Sequence, residues 1–339
     1  MHENRQSFNV PLKDRDKRFP VRVILALAVT LALGLALARA PWADVGRALA
    51  AAQPGWLAAA VLINAAIYPF WVAQWRLLVA PPQTVAWPAM AEIVALSEIA
   101  RSTFAAPVGV AAAITLLTVR GGLSATAATA VMALDQLFAG LAKVVTFALA
   151  ALLAPLPQAA VVGVSVFCAL VLALLVVVLI LAATRGLPTA LGRSSSPLVQ
   201  RAGVLLQGFS ENLRVMRSPT TVGMVFALAI IKRGTQVAAV CAVQAACGID
   251  ISLPAALLIV AAVSLTTAIP LTPGGIGVYS ATVFATYSFL GVASGPAIAA
   301  GVLQHLVELL PSLAVGYGAL LLDRLPGRTR ARAARQGLQ

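Results

Sequence analysis

Lys232 and Arg233 stand side by side near the middle of an apolar stretch, 220–246, too far from either end for their charged heads to reach water comfortably. Two adjacent cations at that depth suit a lipid phosphate, which accepts charge-assisted hydrogen bonds from both. The alternative is that one of them pairs with a buried acid such as Glu308 or Asp135 and fixes helix packing. Ionisable groups at membrane depth cost about 2.5–3.5 kcal/mol each, so they face a cavity or a partner. Asp135 and Lys143 lie eight residues apart, two turns along the same side of a helix, and would line one groove, with Gln136 beside them. Gln304, His305 and Glu308 form a second polar group in the last apolar stretch. His305 and Glu308, at spacing three, suit either a proton relay or polar packing between helices. Glu98 and Arg101, also three apart, favour a local ion pair.

Chemistry of an enzymatic kind is poorly provided for. The histidines are His2, near the N-terminus, and His305, and no paired-aspartate motif accompanies them. Cys168, Cys241 and Cys247 lie in or beside apolar runs without CxxC spacing, as packing residues do. The glycine cluster at 274–277 has no Gly-Lys-Ser/Thr ending and follows no strand, which argues against nucleotide binding. The expectation is a non-enzymatic protein with no cofactor and no metal.

The elements that must position these residues are membrane helices. Of 339 residues, 60% are hydrophobic and 10% charged, and the mean hydropathy is +0.94. No soluble domain has such a composition. The net charge of +13 is gathered between apolar stretches, where it reports topology and anionic headgroups and not nucleic acid. Apolar length predicts spans near 22–38, 55–79, 124–153, 158–183, 220–246 and 296–322. The first could pass for a signal peptide, but an uncleaved helix is the preferred assignment.

Basic residues fill the 1–21 tail, the 184–219 loop and the 323–339 tail, so all three are expected on the cytoplasmic side. An even number of crossings must then separate the loop from the C-terminal tail. The spans at 220–246 and 296–322 supply two, and the apolar region 253–291 is too short for two more helices of about 20 residues. It is therefore predicted as an outer re-entrant hairpin, broken by Pro270 and Pro273 and by Gly274, Gly275 and Gly277, with its second half starting near Val278. The same arithmetic makes 88–118 an inner re-entrant hairpin with Pro107 and Gly109 at its tip. The expected architecture is an all-α integral membrane protein of about six full spans plus two hairpins. A first helix and external loop (22–54) precede two halves, 55–183 and 220–322, related as an inverted repeat. Broken helices in inverted repeats mark transporters, because half-helix ends offer backbone groups to a substrate.

"PLTPGGIGV", "SFLGV" and "AGVLQHLVELLPSLAVG", together with "QWRLLVA" and "RGGLSATAA", resemble the flippase-like transmembrane domain of the lysylphosphatidylglycerol synthase family over most of 55–322. That resemblance implies movement of lipids or lipid-linked intermediates between leaflets. The family's glutamate after the glycine-rich turn is replaced here by Tyr279 and Ser280, and its Gly-Glu by Gly109 and Val110. Its two helix arginines correspond to Gln136 and His305.

The function expected is transbilayer movement of a lipid with an anionic headgroup, in a bacterial-type inner membrane, with both termini cytoplasmic. A small-ion channel, a secondary transporter and a membrane transferase acting on a lipid carrier are the alternatives. The expected partners are membrane lipids and not nucleic acid, and a homo-oligomer is left open.

Overall fold

The computed structural model describes residues 42–104, 106–153, 158–183, 213–250, 253–267, 275 and 277–323. The predicted span at 22–38, most of the basic 184–219 loop and the C-terminal tail after Asp323 lie outside them, as do Pro270, Pro273 and Gly274. Every regular element among the described residues is helical.

In chain order the helices are α1 (Trp42–Ala51), α2 (Pro54–Ala65), α3 (Ile67–Leu78), α4 (Trp87–Thr103), α5 (Ala106–Val119), α6 (Ala125–Leu153) and α7 (Gln158–Ala183). A 3₁₀ turn at Leu213–Arg217 leads into α8 (Pro219–Ala246), followed by α9 (Leu253–Thr266), α10 (Val278–Phe289) and α11 (Ser294–Asp323). Five stretches are long and apolar enough to cross a membrane: Pro54–Leu78, Ala125–Leu153, Val161–Ile180, Pro219–Ala246 and Ser294–Leu321. They match five of the six predicted spans. The 39–54 segment, expected as an external loop, instead carries α1, whose Asp44 and Arg47 pair on the exposed side.

Proline and glycine set the interruptions. Pro69 has no N–H to give the carbonyl four residues back, and the helix divides between Ala65 and Ile67 accordingly. Pro107, expected at a hairpin tip, is instead the second residue of α5, and the break between α4 and α5 falls at Phe104. Proline is tolerated in a first helical turn, where its missing N–H has no intrahelical partner anyway. Gly109 likewise sits inside α5, where a Cβ would lie 2.5 Å from Arg101 Cβ and 3.0 Å from Arg101 Cα. Its role is close approach of the two half-helices. Between α9 and α10, Gly275 and Gly277 both take positive φ, of 69° and 83°, and α10 starts at Val278 immediately after.

An order of long, short, short, long helix occurs in α2–α3 to α6 and again in α8 to α11. The short helices pack across: α4 against α11, and α9 against α6, while α8 packs on α2 and α3. α7 is the least buried of the five long apolar stretches, meeting α6 through Phe147 and Phe167, whose rings stand edge to face at 5.2 Å.

Pro311 lies inside α11 and therefore leaves the Val307 carbonyl without its helical donor. Asn64 of α2 fills the vacancy: its side-chain Nδ2 donates to Val307 O at 3.0 Å in a buried contact. An unmatched buried carbonyl costs about 1–3 kcal/mol. Asn64→Leu should therefore destabilise the protein by about that amount, and Pro311→Ala, which restores the helical donor, should recover most of the loss in the double variant. Unfolding of the purified protein in graded denaturing detergent measures both.

Candidate functional site

The central pair of residues of the 28-residue α8 is Lys232–Arg233. Glu308 lies at the middle of α11, and Asp135 and Lys143 lie either side of the middle of α6. Helices of this length rise about 42 Å, so all five side chains come from the middle of the membrane-spanning stretches. They meet in one cavity of about 230 Å³.

Of the residues predicted for the site, Asp135, Gln136, Lys143, Lys232, Arg233, Gln304 and Glu308 all line this cavity. His305 does not. Gln304, Glu308 and Ser312 repeat every four residues and form the cavity face of α11. His305 is turned about 100° away on the helix and stacks on the Tyr279 ring at 4.9 Å. Tyr279 itself does line the cavity. His305 thus meets the cavity through Tyr279.

The charges are unevenly matched. Glu98, almost fully buried, binds Arg101 through two contacts, of which Nε to Oε2 is 2.7 Å, and accepts a further bond from Ser312 Oγ at 3.2 Å. Arg101 also approaches Glu308 at 3.8 Å. The pair expected to be merely local therefore ties α4 to α11 and forms part of the cavity wall. Lys232 approaches Asp135 Oδ1 at 3.8 Å, lies 4.9 Å from the Trp71 ring and is thereby held on both sides. Gln136 Nε2 donates to the other Asp135 oxygen at 3.2 Å.

Arg233 and Lys143 differ from these. Among the described residues, neither forms an ion pair. Arg233 Nη1 donates to Gln236 Oε1 at 2.6 Å and Ser264 Oγ at 3.2 Å, both neutral acceptors. Lys143 Nζ lies 5.7 Å from the Phe167 ring. Four cations against three carboxylates leave the cavity one positive charge in excess, concentrated on this pair. A buried cation without an anion is costly unless something brings the anion. The cavity thus carries a net positive formal charge at the middle of the long helices.

Sequence reasoning missed Trp71, Gln236 and Ser264 as neighbours of these cations. Gln236 follows Lys232 by four and Arg233 by three, a spacing that places it on the same helix face. Ser264 had no comparable local signal, because it reaches Arg233 only through the packing of α9 on α8.

A family model described as the lysylphosphatidylglycerol synthase TM region matches residues 23–316. No curated protein matches the chain.

Because Lys232 and Asp135 are held together, removing one strands the other. Breaking a buried pair from one side typically costs about 3–5 kcal/mol, whereas replacing both partners costs far less. Lys232→Met should lower stability by roughly that amount, and Lys232→Met with Asp135→Leu should restore most of it. Equal stability of the single and double variants in a detergent unfolding series would show that the pair is not coupled.

Proposed function

We propose that this chain, which belongs to the family of the lysylphosphatidylglycerol synthase TM region, moves an anionic lipid or lipid-linked intermediate between the two membrane leaflets. The observation that carries the proposal is the cavity at mid-membrane, where Arg233 and Lys143 form no ion pair among the described residues and cations outnumber carboxylates by one. A phosphate-bearing headgroup would supply the missing negative charge there while its chains stayed in hydrocarbon. In this reading the protein is a carrier and not a catalyst.

Two features of the fold support alternating access. We read α4–α5 and α9–α10 as re-entrant hairpins of two inverted repeats, one entering from each face. Each hairpin contributes its first helix to the cavity wall and packs that helix on the last long helix of the other half. Rocking one half against the other would then move the opening from one leaflet to the opposite one around a fixed site. By the positive-inside rule the 184–219 loop and both tails are placed on the cytoplasmic side of a bacterial-type inner membrane.

The test is transport in proteoliposomes of fluorescent phosphatidylglycerol against fluorescent phosphatidylcholine, with ion conductance recorded on the same preparation. Wild-type protein should move the anionic lipid faster. Each charged contact to a phosphate contributes about 1.5–3 kcal/mol, so Arg233→Gln with Lys143→Gln should slow it by roughly tenfold or more. Wild-type rates equal to those of protein-free vesicles would overturn the proposal, and selective ion current without lipid movement would replace it by a channel.

A further inference from the structure

A second space, of about 590 Å³, opens between α2, α6, α8 and α9. Its walls are apolar, with Ile63, Ile230, Val237 and Leu257 among them. The margin opens sideways: Trp56, Leu149 and Leu253 are 48%, 43% and 56% exposed. Thr146 lends it no free polar group, because its hydroxyl donates to the Ala142 carbonyl at 2.9 Å. Among the described residues a single charged side chain lines this groove, and it is Arg233. Arg233 also lines the polar cavity.

Helix geometry explains how one residue serves both. On α8 the cavity side carries Lys232, Gln236, Ala239 and Val240, and the groove side carries Ile230, Gly234, Val237 and Cys241. Arg233 falls at the seam between these two stripes. From Arg233 to Ala245, the far end of the groove along α8, the helix rises about 18 Å. Half of a bilayer's hydrocarbon layer is about 15 Å thick. The groove therefore runs from Ile230, about one turn before the mid-helix Arg233, to the C-terminal end of α8, and its part from Arg233 onward matches the depth of one leaflet.

We propose that this groove holds one hydrocarbon chain of the lipid whose phosphate Arg233 binds, so that cavity and groove form a single site divided at Arg233 into headgroup and tail. The inference rests on the lipid-transport reading and adds to it where the chain lies and in which leaflet the lipid is held. An apolar channel whose single charged lining residue among the described residues is a cation hydrogen-bonded to neutral acceptors calls for an occupant with a long apolar part and an anion at one end. A phosphate-bearing lipid has both. A helix from a second copy would cover the apolar margin but bring no anion to its deep end.

The experiment uses the full chain in phosphatidylcholine vesicles containing phosphatidylglycerol with a photoreactive diazirine at the end of one acyl chain. Adducts should concentrate on 237–245 and 253–257, about fivefold above those on the exposed α7 residues Val162, Val166 and Leu170. Gly234→Leu places its side chain in open space, since a Cβ there meets nothing within 4 Å. It should cut the groove adducts about fivefold and slow transport of long-chain phosphatidylglycerol about tenfold, while dihexanoylphosphatidylglycerol is moved within about twofold of wild type. Ala238→Leu, exposed on the same face, is the second blocking variant. Arg233→Gln should lower the adducts as well. Adducts spread evenly over α7 and the groove, adducts unchanged in both blocking variants, or crosslinks between two copies through the groove would each overturn the proposal. Transport without groove enrichment would sink the groove alone, whereas groove enrichment without any wild-type transport would sink the transport reading and leave the binding site.

Discussion

A hydrocarbon layer offers no hydrogen bonds, so every polar group brought into it has to be satisfied by the protein itself. The interruptions of the helices show how this chain meets that constraint. Where α11 loses a helical bond at Pro311, a side chain from α2 supplies the replacement. Where α9 ends, the Thr267 hydroxyl donates to the Val263 carbonyl at 2.6 Å and Thr266 to Ala262 at 3.1 Å. The interruptions thus do more than bend the chain. At Pro311 the interruption fixes a contact between segments distant in sequence, whereas at the end of α9 the bonds stay within one helix.

The same constraint sorts the charges. Glu98, Arg101 and Glu308 share one network, and Asp135 is shared by Lys232 and Gln136. The first network links α4 to α11 and the second links α6 to α8. Arg233 and Lys143 are left with neutral or aromatic partners among the described residues. The two adjacent cations of α8 therefore have different work. A helix turns about 100° per residue, which lets Lys232 point to the acid on α6 while Arg233 sits at the edge of a different face. Adjacent residues on a helix diverge, and here the divergence separates a cation paired with an acid from one hydrogen-bonded to neutral acceptors.

Hydropathy and proline–glycine placement made much of this legible from residues alone. Five spans, the positions of the broken helices to within a few residues, and the gathering of Asp135, Gln136, Lys143, Lys232, Arg233, Gln304 and Glu308 all follow from length and periodicity. What failed was what depends on helix rotation. Whether Lys232 takes Asp135 or Glu308 turns on the azimuth of α8 relative to α6 and α11, which local spacing does not encode. That His305 stacks on Tyr279 was not legible for the same reason, since spacing three from Glu308 allows a shared face but does not say which neighbour packs there. Pro107 was misplaced because proline marks a helix start as readily as a break. Trp42–Ala51 was read as loop because it is too short for a span, although a helix lying on a protein surface needs no such length.

Arginine suits the seam better than lysine would. A lysine presents a compact, strongly hydrated point charge, whereas the guanidinium is planar, more weakly hydrated and able to give parallel hydrogen bonds to two oxygens. At Arg233 one terminal nitrogen already serves Gln236 and Ser264. Among the described residues no further hydrogen bond takes the other donors, and in the proposed function a phosphate would accept them. Lys232, one residue earlier, needs only a single carboxylate and an aromatic face, which a point charge satisfies. The identities of the two residues thus agree with the division of labour that their directions impose.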